Sequence, residues 1–480
     1  MALVGAGASP SALGGLTPLS WAALGGHEAV VKILLERNDV SPSIADRYGH
    51  TPLFIAACAG HEGVVKMLLD RNDVNPNTRG RYGRTPLHGA ACKGHEGVVK
   101  MLLERSDVDP NTRDGYGKTP LYGAASKGHE EVVKVLLGRN DVNPNIRDRY
   151  GKTPLCRATC EGHEGVVKML LKHNDVDPNT ADDDGKTLLS VAARVGHEGI
   201  VKMLLERNDV NPNTADGYGE APLFIAAREG HEGVVKLLLE CNDINPNTTD
   251  QYGQTPLFRA AREGCEGVVK ILLERDDINP NTADDSGQTP LHIAAHEGPE
   301  RVVKMLLERN DINPNAAHRQ GQTPLHIAAR EGREGVVKIL LERSDLNPNT
   351  TDKNGNTPLF MAVWSEREAV VKMLLERWDV NPCTPNRLGK TPFMVAASNG
   401  HEVVVKMLLE RAEVHSDIVD VVDRATAHLE GLQRKLPGIL KLLTEHKNSI
   451  SPLAGDEFTA LSSQEPSNPD QRPSKRIRRL

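Results

Sequence analysis

The chain has 480 residues, of which 3% are aromatic and 38% hydrophobic, and a formal net charge of −7. That length exceeds what one core usually fills, and so few aromatic rings favour many small interfaces built from Leu, Val and Ala. The net charge excludes a generic polyanion binder, though not local basic patches, and the odd set of seven cysteines reads as reduced intracellular thiols rather than a disulfide framework.

Residues 1–16 are rich in Gly and Ala and are expected to form a flexible N-terminus. They carry no basic region and no strong apolar run, so they make a poor signal peptide. Gly5-Ala6-Gly7 is not followed by Gly-Lys-Ser/Thr, so it is no phosphate loop. No run of about 18 apolar residues is present to span a bilayer. The expectation is a soluble intracellular protein, cytoplasmic or nuclear or both, without membrane attachment.

From Thr17 the sequence repeats. Thr17, Thr51, Thr85, Thr119, Thr153, Thr187, Ala221, Thr255, Thr289, Thr323, Thr357 and Thr391 stand 34 residues apart and open twelve copies over residues 17–411. In the copy at 85–118, Thr85 is placed to cap a helix beginning at Pro86, where a missing N–H costs nothing. Leu87, Ala90 and Ala91 are small enough for a second helix to approach, and Gly94 supplies a left-handed turn. Glu96 to Glu104 forms that second helix, with Val98, Val99, Leu102 and Leu103 on one face and Glu96 and Lys100 paired outside. Asp109-Pro110-Asn111 breaks the helix, and Arg113 to Gly117 reads as a turn or hairpin tip. One such unit cannot bury its own apolar face, whereas a stack can.

The copies resemble the ankyrin repeat in Thr-Pro-Leu-His-x-Ala-Ala (Thr323 to Ala329), Gly-His-Glu-x-Val-Val-Lys-x-Leu-Leu (Gly94 to Leu103), Asp-Val-Asn (Asp73 to Asn75) and Asp-x-x-Gly (Asp114 to Gly117). They depart from it in length, 34 residues rather than the family's usual 33, the extra residue falling in the Asn-Asp-Val-Asn-Pro-Asn segment. The resemblance implies an all-α repeat solenoid of helix-turn-helix units with hairpin tips. It also implies a groove built from tips and first helices, protein–protein binding as the role, and no catalysis by the repeat.

Counting the repeat threonine as position 1, the copies vary most at positions 8, 9, 29, 31, 32 and 34, which the resemblance places on the groove. In copies 2 to 4 these positions carry Arg79, Arg81, Arg84, Lys93, Arg113, Lys118, Lys127, Arg147, Arg149 and Lys152, and no acid, together with Tyr82, Tyr116 and Tyr150. Copy 5 has Glu161, Asp183 and Asp184 there, and later copies set Arg beside Glu, as in Arg228-Glu229 and Arg330-Glu331. The functional reading is docking of an acidic protein segment. The bland reading is a solvated face. Arg with Tyr can also stack nucleic-acid bases, although a turn-packing role for the tyrosines is simpler.

Copy 11 departs most: Trp364 sits at groove position 8, Trp378 lies in the loop after the second helix, and Glu366 replaces the turn glycine. Past residue 411 the period is lost. Residues 412–447 are expected to form capping helices and 448–480 a disordered basic tail. The tail ends in Lys475, Arg476, Arg478 and Arg479, which resemble a single-cluster nuclear import signal.

No catalytic set, cofactor motif or metal site emerges. The recurring Gly-His histidines stand about 10 Å apart in a stack, too far to share an ion, and are expected to pack the helix turn. The sequence therefore predicts a monomeric, non-enzymatic scaffold or adaptor holding a protein partner. The alternative is a nuclear regulator that contacts nucleic acid or chromatin proteins through its basic N-terminal half.

Overall fold

The computed structural model describes residues 15–412 together with Gly438, Lys441, Leu442 and Glu445. Among them are twenty-four α-helices and no strand. They form twelve antiparallel pairs, from Pro18–Leu24 with Glu28–Leu35 to Pro392–Asn399 with Glu402–Ala412. The chain divides into two compact units, Met1–Asp285, which holds the first eight copies, and Ser286–Leu480, which holds the last four.

Each pair follows from its local sequence. Thr85 is extended (φ −93°, ψ 167°) and its hydroxyl accepts the N–H of His88, while Pro86 fills the first helical position. Most copies share this cap, worth about 1 kcal/mol each. Ala221 keeps the backbone geometry without the side-chain bond. Gly94, at φ +80°, ends the first helix and turns the chain into the second. Leu87, Ala90, Ala91, Val98, Val99 and Leu102 are all buried, and the same six positions recur in the core of copies 2 to 12. The alanines keep each helix thin enough for its neighbour to approach, so many small interfaces replace one large core.

Within each unit, three rows of side chains tie most copies to their neighbours. First, the histidine at position 11 meets the position-8 carbonyl of the preceding copy, as His95 Nε2 does Cys58 O at 3.0 Å and His231 Nε2 does Arg194 O at 3.0 Å. This is the packing role expected for the histidine row. In the second unit Arg333 and Arg367 do the same work, donating from Nε to His296 O and Arg330 O. Second, an arginine at position 21 grips the aspartate two residues on and also reaches back one copy: Arg105 bonds Asp107 through two nitrogens and donates to Leu69 O at 3.0 Å. Third, the asparagine at position 27 reaches forward. Asn111 Nδ2 donates to Asp141 O, and its Oδ1 accepts the N–H of Asn143 at 2.8 Å. The residue that lengthens the repeat to 34 lies in the segment carrying this third row. The amides of Asn247 and Asn349, in sequons, are held in the same way by Asp277 O and Asp379 O.

Gly15 and Leu16 are described, and Gly15 (φ +77°) packs against the backbone of Arg47; residues 1–14 lie outside the described residues. The expected capping helices lie there too, apart from Gly438, Lys441, Leu442 and Glu445, which are helical. A β-carbon on Gly438 would collide with the Glu402 carboxylate, just as one on Gly335 would with Glu300. Gly438 thus occupies the place that position 13 takes in an internal copy. Residues 448–480, with the import-like cluster, lie outside the described residues.

Candidate partner-binding groove

The tips are turns clamped by an aspartate at position 30. Asp114 Oδ1 accepts the N–H groups of Tyr116 and Lys118, both at 2.9 Å, and Asp148 does the same for Tyr150 and Lys152. Backbone bonds join tip to tip, as from Arg149 N–H to Tyr116 O at 3.0 Å. Side chains at positions 29, 31 and 32 therefore project from a row of fixed turns.

Copy 2 lacks the clamp, because Gly80 stands where the aspartate should be. Its tip closes as a short 3-10 turn, Arg81–Gly83, with Tyr82 in the left-handed region (φ 67°, ψ 14°), a conformation costing about 1–2 kcal/mol outside glycine. The missing carboxylate also leaves Arg79, Arg81 and Arg84 without an acid in their own tip.

The structure brings the predicted basic residues of copies 2 to 4 onto this face. Arg79, Arg81, Lys93, Arg113, Lys127, Arg147 and Arg149 are exposed, and Arg84, Lys118 and Lys152 half-buried. Of the ten, only Arg84 and Arg147 have a carboxylate partner: Asp114 Oδ2 at 3.3 Å and Asp183 Oδ1 at 3.4 Å. Several are nonetheless held in place. Arg113 donates to Gly117 O and Arg147 O, and Arg147 to Gly151 O and Ala181 O. The Arg81 guanidinium lies between two rings, 5.4 Å from the centroid of Tyr48 and 5.1 Å from that of Tyr82. Tyr82 in turn stacks on Tyr116 at 6.1 Å, and Lys118 sits over Tyr116 and Tyr122. Tyr150 is exposed with no ring contact. The tyrosines are thus mainly supports for cations, the turn-packing role extended from copy to copy.

Further along the first unit the same face is neutralised. Arg228 is bonded by both Glu220 and Glu229. Burial works against its charge, but the two carboxylates outweigh it and hold its pKa raised. Lys186 pairs with Asp184 at 3.1 Å. Lys186, Glu220 and Arg228 line a cleft of about 400 Å³ with Arg194, Tyr218 and Tyr252. In the second unit Arg330 pairs with Glu331 at 2.8 Å.

Trp364, also in the second unit, is 59% exposed and stacks on Phe360 at 6.4 Å. Glu366 adopts the left-handed turn (φ 56°) expected of the glycine it replaces. Its carboxylate meets His401 Nδ1 at 3.0 Å, and His401 Nε2 is buried without a partner. The ordinary position-11 bond is lost there, because any β-carbon at position 10 enters the space of the next histidine: one on Gly60 would lie 2.6 Å from His95 Nδ1.

His88, His292 and His326, at position 4, are buried, and burial lowers their pKa to about 4. Each neutral ring accepts the N–H of its capping threonine at Nδ1 and, through Nε2, bonds a carbonyl of the tip, such as Lys118 O at 3.1 Å. Burial also pushes the thiols of Cys58 and Cys156 up to about 11, which keeps them protonated and poorly nucleophilic. Among the described residues no three His, Cys, Asp or Glu side chains are grouped to hold a metal ion, and no helix is long and apolar enough to cross a membrane.

Glu229, Glu331 and Asp184 stand where the sequence placed acids on the groove face, whereas the position-21 and position-27 rows and Glu220 were not anticipated. The rows were visible as near-constant Arg-x-Asp and Asn between copies. The Glu220–Arg228 pair joins residues eight apart on different elements, and nothing in the spacing announces it.

The family model described as ankyrin repeats (3 copies) matches ten overlapping stretches, from 2–80 to 345–420, which together cover residues 2–420. A search of curated proteins returns no match.

Proposed function

The chain belongs to the ankyrin repeat family, and on that premise we propose that it is a non-enzymatic scaffold holding an acidic protein segment against the tips of copies 2 to 4. Ankyrin repeats are protein–protein interaction modules. The observation that supports this particular partner is the set of cations at those tips, fixed by rings and carbonyls and mostly without carboxylates of their own. Cations already ordered lose little entropy on pairing, so an incoming carboxylate gains most of the interaction. Three copies at about 10 Å each give a basic strip of roughly 20–30 Å, the length of about eight extended residues.

Titration of an eight-residue Asp/Glu peptide, with random-sequence DNA beside it across a salt series, tests the reading. The peptide should bind and the DNA should bind more weakly. Tighter DNA binding with a steep salt slope would favour the nucleic-acid alternative. The stacking of Tyr82 on Tyr116 and Arg81 speaks against that alternative, because it occupies ring faces that bases need. We further propose an intracellular location with nuclear entry through Lys475, Arg476, Arg478 and Arg479; changing all four to Ala should move a fluorescent fusion out of the nucleus.

A further inference from the structure

In the second unit, the groove face of copy 11 carries two large apolar side chains, Trp364 at position 8 and Leu388 at position 32. Trp364 is the one aromatic residue at position 8 among the twelve copies. Phe360 stacks on one face of its indole, and the other face is open. Leu388 is 79% exposed and takes the place that tyrosine holds in most copies of the first unit. Positions 8 and 32 of one copy share a cleft, as Arg194 and Tyr218 do in copy 6, and Trp364 and Leu388 hold the equivalent places. Beside them the tips of copies 10 and 11, joined by a bond from Arg387 N–H to Asn354 O at 2.8 Å, carry Lys353, Arg387 and Lys390. All three are exposed, and none has a carboxylate within ion-pair distance. The clamp of copy 11 is Asn386 rather than aspartate. Its Oδ1 accepts the N–H groups of Leu388 and Lys390, both at 3.0 Å, so the turn is kept while its negative charge is removed. The acids nearby are engaged elsewhere: Asp352 is buried as the clamp of copy 10, Glu331 pairs with Arg330, and Glu366 meets His401.

We propose that this face is a second docking surface, independent of the strip on copies 2 to 4, for a protein segment that sets a large apolar residue among acids. Trp364 and Leu388 take the apolar side chain, and Lys353, Arg387 and Lys390 pair with the acids around it. An exposed tryptophan is the side chain that most often anchors an interface, and uncompensated cations around it select the charge of what docks there. A purely acidic segment would leave Trp364 and Leu388 in water. A purely apolar one would leave the three cations unused. Single-stranded nucleic acid fits less well, because successive bases stack on successive rings. Here one indole has a face against Phe360, and the side chain beside it is a leucine.

Hydrogen exchange on the full chain, titrated with the peptide Asp-Glu-Asp-Phe-Leu-Asp-Glu-Asp and with a control carrying Ser-Ser in place of Phe-Leu, provides the test. It reads the two faces separately, so the reading of copies 2 to 4 stands or falls on its own. The Phe-Leu peptide should protect 351–356 and 385–390 at a concentration at least about tenfold below that needed by the control. Trp364→Ala should raise that concentration at least about tenfold, as should changing Lys353, Arg387 and Lys390 to Glu, with unchanged far-ultraviolet circular dichroism. If Trp364→Ala loosens copy 11, Leu388→Ser at the exposed tip should still weaken protection by the Phe-Leu peptide and leave that by the control unchanged. No protection over 385–390, equal protection by the two peptides, or protection by oligothymidine at a lower concentration than the Phe-Leu peptide would overturn the proposal. So would a dimer in sedimentation velocity that Trp364→Ala dissolves, since a second copy of the chain would then occupy the face.

Discussion

Copies 2 to 4 and copy 7 use one backbone to present arginine in opposite states. Arg79, Arg81 and Arg149 stand at the tips with no carboxylate beside them, whereas Arg228 is held by Glu220 and Glu229. The contrast shows that a count of basic residues overstates the charge a partner meets. What matters is whether an acid stands at position 9 of the same copy or at position 34 of the copy before it. Copy 2 has neither acid nor clamp in its own tip, and of its three tip arginines Arg84 alone meets a carboxylate, that of Asp114 in the next copy.

The largest effect should come from reversing that contrast. Changing Arg79, Lys93, Lys127 and Arg149 to Glu should weaken an acidic peptide about a thousandfold, roughly 4 kcal/mol by calorimetry, because each reversal swaps an attraction for a repulsion. Melting should hardly move, since exposed charges contribute little to stability. Changing Arg228 and Arg330 instead should leave peptide affinity within a few-fold and lower the melting temperature. Equal loss of affinity from the two sets would break the comparison.

Acid should separate the same regions by a smaller amount. Copy 3 contains His88, held neutral with a pKa of about 4 against 6.5 when unburied, and copy 7 has Phe224 at that position. As pH falls below 6.5 the unfolded chain takes up the proton first, so stability drains away between there and about pH 4. At about 1.4 kcal/mol per pH unit, roughly 2 kcal/mol is lost by pH 5. Hydrogen exchange over 85–118 should quicken at pH 5, relative to the intrinsic rate, while 221–254 stays protected. His88→Phe should abolish the difference.

The smallest effect concerns copy 11, where a carboxylate likewise decides what its neighbour is free to do. Glu366→Gly should relieve the left-handed strain and let His401 Nε2 reach the Trp364 carbonyl, adding about 1–2 kcal/mol. Slower exchange around Trp364 would register it. Unchanged exchange would mean that the Glu366–His401 contact already compensates.

Much of this was legible in the chain itself. The Thr-Pro start, the glycine turn, the two buried faces and the left-handed Glu366 all follow from rules acting within about ten residues. That the variable positions are exposed or half-buried at the tips and the adjoining helix ends was legible as well, because copies can be compared with one another. What the chain did not disclose is pairing between elements. Arg105 reaching Leu69 O, or His95 reaching Cys58 O, spans 36 or 37 residues and depends on how copies stack. Glu220 reaching Arg228 depends on the tip folding over the next helix.

The three tying rows have a consequence for how such an array changes over generations. Most donors and acceptors recur at a fixed place in the 34-residue period, so a copy gained or lost by unequal recombination re-forms most of these bonds with its new neighbours. Length is then inherited cheaply while the tips diverge. Glu366 is an exception: its carboxylate holds His401 across one junction, and a copy inserted between them would break that contact.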